Sequence, residues 1–388
     1  MDETVKLYDK NAYEVEFDGT VLACEKAEGK NAVGYQLILD QTLFFPEEGG
    51  QSPDQGTIAN SKVLDVQIKK GVIYHLVDAP LEVGAKVHGC VDWTHRFNNM
   101  QQHSGEHIFS GLVHQNYGYD NVGFHLSDQI VTMDFNGILT AEQVAEIETK
   151  ANQVIISNRP IQVTYPTKEE LAVLDYRSKI EIEGQVRIVT IPDVDVCACC
   201  APHVRLTGEI GLLKVMSLQN YKGGVRISIL CGFRALEEFR AKNAVLSELS
   251  SALSANQDSM VETVGKLKAA NQSLKNEVIA ANQDYMKLRL LEIPKEQVNV
   301  TLFEKELDAP LMREIVNQLV TEHEGFCSIF VGNEDQGYRY ILGSNSKDCK
   351  EMVTKLREAL GAKGGGSVSM IQGSVAASQE EILKVVEG

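Results

Sequence analysis

The sequence predicts an α+β protein of several consecutive domains. Three observations carry that expectation. Up to about Asp92 the chain is a series of short runs rich in Val, Ile, Tyr and Phe, with turn residues between them. From His95 onward, helical and strand-like spacings alternate. Between Ala235 and Leu291 the chain is helical in pattern and contains no proline, and a second strand–helix alternation follows Pro294.

Residues 1–94 are expected to form a small antiparallel β-barrel. The runs YEVEFDGTVLACE, VGYQLILDQTLFF, KVLDVQIKKGVIYHLV and KVHGCVDW supply its strands. Within it, Pro46-Glu47-Glu48-Gly49-Gly50-Gln51-Ser52-Pro53-Asp54 is a glycine-rich loop whose backbone can approach another group closely. In residues 95–234 a helix is expected over HRFNNMQQHSGEHIFSGLVHQNYG, ended by Gly118. A second helix begins at Thr140, with Gln143 placed to close a capping box. RPIQVTYPT and VRIVTIP read as strands. Residues 235–292 read as a helical hairpin bent at Ser254–Asp258, with apolar stripes at Leu246, Leu249 and Leu253 and at Val264, Leu267, Leu274 and Val278. Such stripes suit a packed linker or a dimer seam equally. Residues 293–388 read as a compact α/β domain with a glycine-rich loop at Gly361–Ser367.

Composition narrows the function. With 43% hydrophobic and 23% charged residues the chain is globular, and no apolar run approaches the roughly 18 residues of a membrane helix. The acidic, polar start is unlike a secretory signal, so the cytoplasm is expected and the eight cysteines should be reduced thiols. A net charge of -17 opposes general nucleic-acid binding, so any RNA contact must use local cations. Arg96, Lys222, Arg226 and Lys363 are the candidates. Lys222-Gly223-Gly224-Val225-Arg226 also offers glycines that let backbone approach a phosphate.

Two motifs carry chemistry. His103-Ser104-Gly105-Glu106-His107 sets two histidines four apart, so both imidazoles can reach one ion from one helix face. Cys197-Ala198-Cys199-Cys200-Ala201-Pro202-His203 places three thiols and an imidazole in seven residues, a density that packing does not require. Together they can supply four zinc donors. Cys199 with His203 repeats the three-residue gap of the first pair; Cys197 and Cys200 compete for the same place. Two rivals exist: a redox C-x-x-C, and the H-x-x-E-H peptidase pattern with Glu106 as base.

At these motifs the chain resembles the editing domain of alanyl-tRNA synthetase. The resemblance rests on His103-x-x-x-His107, then Cys199-x-x-x-His203-Val204 and Thr207-Gly208-Glu209-Ile210-Gly211. Asp40-Gln41-Thr42-Leu43-Phe44-Phe45-Pro46-Glu47-Glu48-Gly49-Gly50-Gln51 is similar to that family's strand and loop, with Glu48 where a third glycine is common. Gly364-Gly365-Gly366-Ser367-Val368-Ser369-Met370-Ile371-Gln372-Gly373 resembles its DHH-associated C-terminal domain, with Ser369 where aspartate is usual. Since no aminoacylation region precedes these motifs, a free-standing editing protein of the long AlaX type is expected.

The resemblance implies a zinc ion, one per chain, on His103, His107, Cys199 and His203. It implies hydrolysis of serine, or glycine, from the 3′ end of mischarged tRNA(Ala), with Thr42 bonding the serine hydroxyl and Gln51 orienting substrate or water. Gly364, Gly365 and Gly366, with Lys363, would grip the tRNA, and a homodimer would form through the hairpin and C-terminal domain. A tRNA-binding module with structural zinc and a zinc peptidase are the alternatives.

Overall fold

The computed structural model describes residues 2–27, 33–178 and 185–388. It is a mixed α+β structure that divides into two compact units, Met1–Ser247 and Glu248–Gly388. The division falls inside a long helix, Gly232–Leu253. Among the described residues no helix is long and apolar enough to cross a membrane.

The first unit begins with a closed six-stranded barrel. Its strands follow the order Glu16–Lys26, Tyr35–Leu39, Val72–Val77, Ser61–Lys69, Gly56–Ile58 and Lys86–Val91. All pairings are antiparallel. Period-two alternation turns Leu37, Leu39, Val63, Ile73 and Val77 into a shared core. The run DQTLFF forms only a two-residue strand, Gln41–Thr42, which pairs in parallel with Val5–Lys6. Beyond it, Leu43, Phe44 and Phe45 are fully buried without being strand, so core packing holds them in place of a ladder.

The helix Trp93–Tyr117 organises the rest of the unit. Asp92 caps it, accepting from His95 N–H at 3.1 Å, and Gly118 ends it in the left-handed conformation at φ 69. From Asn99 to Val113 every residue is buried, polar ones included. That requires partners on all sides. Ala141–Ile156 covers one face, capped by Thr140 and Gln143 in a reciprocal capping box. A four-stranded antiparallel sheet of Leu213–Tyr221, Gly224–Cys231, Val131–Phe135 and Asn121–Leu126 covers another. A three-stranded antiparallel sheet of Gln162–Thr164, Ile188–Ile191 and Asp195–Ala198 closes against it.

Two glycines set how closely these layers approach. A Cβ at Gly105 would lie 2.3 Å from Cys231 Sγ, and one at Gly111 would lie 2.4 Å from Val194 O and 2.8 Å from Asp195 Cβ. Gly111 therefore lets the strand that carries the cysteines press onto the helix that carries the histidines.

The second unit holds the helix Met260–Leu291 and a five-stranded sheet in the order Val300–Glu304, Cys327–Asn333, Gly337–Gly343, Met370–Val375 and Lys363–Gly366. Helices Ala309–Glu322, Cys349–Leu360 and Gln379–Glu387 complete it. The glycine segment after residue 361 corrects the loop expectation. Lys363–Gly366 is an edge strand, hydrogen-bonded antiparallel to Met370–Val375. Four residues with little strand propensity are held there by the ladder and by Arg357 Nη2, which donates to Gly364 O at 3.1 Å.

Candidate metal centre

Four donors from two places in the chain converge. His103 and His107 lie one turn apart on the buried helix, their ring centroids 5.4 Å apart. Cys199 follows the strand Asp195–Ala198, and His203 follows Pro202 in a turn packed between two cores: Ala201 belongs to that of the barrel and Val204 to that around the helix. One ligand atom from each of His103, His107, Cys199 and His203 lies within 4.8 Å of all the others. Cys199 Sγ is 3.5 Å from His103 Nε2 and 3.4 Å from His203 Nε2. A nitrogen and a thiolate bound to one tetrahedral zinc would be about 3.5 Å apart.

Each imidazole is oriented by a bond on its other nitrogen. His103 Nδ1 donates to Gln51 Oε1 at 2.7 Å, and His107 Nδ1 donates to Asp195 Oδ2 at 2.8 Å. His203 Nδ1 meets Ser104 Oγ at 3.1 Å, and that hydroxyl also accepts from Val204 N–H at 3.2 Å. All three rings therefore hold Nε2 toward the common centre. This is the outer arrangement that metal-ligating histidines ordinarily have.

The local electrostatics separate the three clustered thiols. Burial alone would raise the Cys199 pKa, but the imidazoles of His103 and His203 outweigh it and take the thiol well below its usual range. Burial pushes Cys197 up to about 11, and Cys200 rises through burial and then the charge of Cys199. Only Cys199 among the three is thus favoured as a thiolate. Burial pushes His203 down to about 3, leaving a neutral imidazole. At His107 burial opposes charge, but the hydrogen bond to Asp195 outweighs it and raises the pKa well above the usual value. The field that would hold a proton there also favours a bound cation. Three buried imidazoles and one partly buried thiolate, spaced in this way, fit a divalent ion of zinc's preferences.

Gln51 reaches the centre because its loop is fastened to the strand Asn121–Leu126. Leu126 N–H donates to Gly50 O at 2.7 Å and Ser52 N–H to Leu126 O at 3.1 Å. Gly50 has φ 83, and a Cβ there would stand 2.5 Å from Phe124 O. The other end of the Gln51 amide, Nε2, is buried with no hydrogen-bond partner among the described residues.

Glu106 is buried rather than solvent-facing. Its Oε1 accepts from Ser110 Oγ at 2.7 Å and Asn121 Nδ2 at 2.6 Å, and its Oε2 lies 4.0 Å from His107 Nε2. Thr42 is fully buried in the barrel, its Oγ1 2.9 Å from His75 Nε2 and accepting from Phe44 N–H at 3.1 Å. His75 was not singled out by the sequence reading. Its signal was there: it stands between Ile73 and Val77 at the inward-facing positions of a strand.

The cation candidates diverge. Arg96 must be corrected: its side chain is 0% exposed, ion-paired to Asp54 and donating to Ala12 O at 2.9 Å and to Leu43 O at 2.5 Å. Its charge is neutralised inside the fold and cannot meet a phosphate. Arg226 forms a two-point ion pair with Asp134 at 2.6 and 2.7 Å and lies over the Tyr221 ring. Lys222, at φ 45 in the hairpin turn beside it, is exposed. In the other unit, Lys363, Gly364, Gly365 and Gly366 are all exposed.

Comparison with known proteins places these features in a family. Residues 186–228, which hold the cysteine cluster and His203, match the threonyl and alanyl tRNA synthetase second additional domain. Residues 3–95 match tRNA synthetases class II (A). Alanyl-tRNA editing protein Aarsd1 of Mus musculus is 30% identical over 385 residues, covering 95% of this chain and 93% of its own. Alanyl-tRNA editing protein AlaX-L of Pyrococcus horikoshii is 27% identical over 403 residues, covering 98% and 96%. The solved C-Ala domain of Aquifex aeolicus alanyl-tRNA synthetase is 18% identical, covers 24% of this chain and 97% of its own, and has a TM-score of 0.20, too slight a likeness to bear on the fold.

Proposed function

The chain belongs to the alanyl-tRNA editing protein family, and from that premise we propose that it deacylates tRNA(Ala) mischarged with serine or, secondarily, glycine. The bond broken is the ester to the 3′-terminal adenosine. His103, His107, Cys199 and His203 would hold one zinc ion. The observation that carries this reading is the convergence of those four donors, each imidazole with its own outer partner, beside the amide of Gln51.

Zinc bound there would supply a Lewis-acid anchor for the substrate's amine or ester. Four protein donors would fill its tetrahedral shell, so the substrate would reach the ion only as a fifth ligand or in place of a donor, and orientation of the attacking water would fall to the surrounding residues. Gln51 suits that task. Its oxygen is held by His103, which leaves Nε2 as a buried donor that an ester carbonyl or water can satisfy. Glu106, fixed by Ser110 and Asn121, keeps a carboxylate close to His107.

Selectivity can be derived at Thr42. If His75 Nδ1–H donates to Leu37 O, then His75 Nε2 receives the Thr42 hydroxyl proton. Phe44 N–H occupies one lone pair of Oγ1, and one acceptor site is left. A serine side chain can donate into it and an alanine side chain cannot. Leaving it unfilled costs about 1–3 kcal/mol, roughly a ten- to hundredfold preference.

We read residues 1–94 as the barrel, 95–234 as the zinc-binding editing domain, 235–292 as the helical hairpin and 293–388 as the DHH-associated domain, working in the cytoplasm where the thiols stay reduced. Lys363 with Gly364–Gly366 would add a grip on the tRNA, raising occupancy through effective concentration. Exposed Leu267, Leu274 and Val278 support pairing of two copies through the helices. The test is release of serine from purified Ser-tRNA(Ala), which should be lost in Cys199→Ala. Absence of turnover on any aminoacyl-tRNA(Ala) by zinc-loaded protein would refute the reading.

A further inference from the structure

A second donor group shares an imidazole with the first. Asp195, Cys197 and His107 have ligand atoms within 4.8 Å of one another. The cation set against this group is a side chain. Arg177 Nε donates to Asp195 Oδ1 at 2.7 Å and its Nη2 to Asp195 Oδ2 at 3.0 Å. Asp195 Oδ2 is the same atom that receives His107 Nδ1–H. Asp195 and His107 are buried, at 2% and 3% side-chain exposure, and Arg177 is largely so, at 13%.

The backbone of Arg177 is pinned as firmly as its side chain. Its N–H donates to Val196 O at 2.8 Å and its carbonyl accepts from Ala198 N–H at 2.9 Å, bracketing Cys197. The residues before it are mostly exposed, from Lys168 to Asp175 all but Leu171. This arginine therefore leaves a surface segment and turns inward, onto one carboxylate. A two-point guanidinium–carboxylate pair fixes both oxygens of that carboxylate in plane. It also puts a positive charge on both oxygens of Asp195, which opposes a second divalent ion at that carboxylate.

We infer that Arg177 is a positioning residue for the metal centre. Acting through Asp195, it holds His107 with Nε2 toward the four-donor set, and it closes the Asp195–Cys197–His107 group against a second cation. The inference rests on the metal reading of the preceding section. It assigns Arg177 a role distinct from tRNA contact: the charge of this arginine is directed at the carboxylate and not at phosphate.

The experiment titrates the full-length protein with zinc against a chromophoric chelator, and separately with Co2+ followed by its d–d absorption. Wild type should take up one zinc per chain. Arg177→Met should bind it about ten- to a hundredfold more weakly, as removal of outer-shell partners ordinarily does. Asp195→Asn should lose a similar factor, and the double variant should lose little more than either alone. In Arg177→Met the cobalt bands should shift or a second equivalent should register. Arg177→Lys, which keeps the charge without the two-point geometry, should fall between wild type and Arg177→Met and provides the readout if the methionine variant does not fold. A wild type that binds one zinc alongside an Arg177→Met or Arg177→Lys chain with affinity within threefold of it and an unchanged cobalt spectrum would overturn the role of Arg177 and leave the metal reading intact. Fully additive losses in the double variant would overturn the route through Asp195. A wild type that binds no zinc would remove the metal reading itself.

Discussion

Two glycine-rich segments look alike in the sequence and serve different ends in the structure. In the first unit, Gly49 and Gly50 have φ 62 and 83, and Gly50 sits against Phe124 O so closely that no Cβ fits. That turn delivers the Gln51 amide to His103 at 2.7 Å. In the second unit, Lys363–Gly366 is an exposed edge strand: a Cβ at Gly365 would meet nothing within 4 Å, while one at Gly364 or Gly366 would stand 2.5 Å from Gln372 O or 2.3 Å from Met370 O on the neighbouring strand. The first segment uses glycine to aim a side chain at a buried centre. The second uses it at Gly364 and Gly366 to lie close on the neighbouring strand, and at Gly365 faces open space, with Lys363 in the strand and Arg357 bonded to Gly364 O as the nearby cations. Glycine content alone therefore does not tell a loop that reaches a buried donor cluster from an exposed edge; what packs against each glycine does.

This contrast can be broken by substitution. The largest effect is expected for Gly50→Ala, which combines a positive φ with a backbone clash. Single-turnover deacylation of Ser-tRNA(Ala) should fall about a hundredfold or more as Gln51 is displaced. The barrel strand beside that loop carries a pH-dependent effect. Burial lowers the His75 pKa from 6.5 to about 4, so the folded state refuses a proton that the unfolded chain accepts. Stability is then unaffected by this group above pH 6.5 and is lost as pH falls from 6.5 to 4, by about 3 kcal/mol in total. Urea unfolding across that window should show a slope in the wild type that is shallower in His75→Gln. Gln51→Ala should lower the deacylation rate about ten- to a hundredfold even when assayed with zinc in excess, and should weaken zinc binding as well, because it removes the outer partner of His103. The smallest effects belong to the edge strand. Lys363→Ala should weaken tRNA binding a few-fold and reduce the salt slope by about 1, and Gly365→Ala should change neither stability nor rate measurably. A Gly365→Ala chain as damaged as Gly50→Ala would erase the distinction.

The α+β character, the helix bearing the two histidines and its glycine terminus were legible because spacing and caps are local properties. The capping box at Thr140 was legible for the same reason. Partnerships were not. Asp195 lies 88 residues from His107, and Ser104 lies 99 from His203. Only the sheet order and the absent side chain at Gly111 bring the cysteine strand onto the helix. Arg96 read as a surface cation because charge normally seeks water, and nothing local reveals that Asp54 waits for it inside. Glu106 was legible only as a possible base; that a helix enclosed on all sides would bury it against Ser110 and Asn121 was not. The Lys363–Gly366 strand escaped notice because its glycines lack the propensity that marks a strand.

The measurement that tests the account most directly is deacylation of Ser-tRNA(Ala) and Ala-tRNA(Ala) by one preparation whose zinc content is determined alongside. The account predicts one zinc per chain, rapid release of serine with alanine largely spared, and loss of both metal and turnover in Cys199→Ala. Serine release at the wild-type rate by zinc-free Cys199→Ala protein would contradict it.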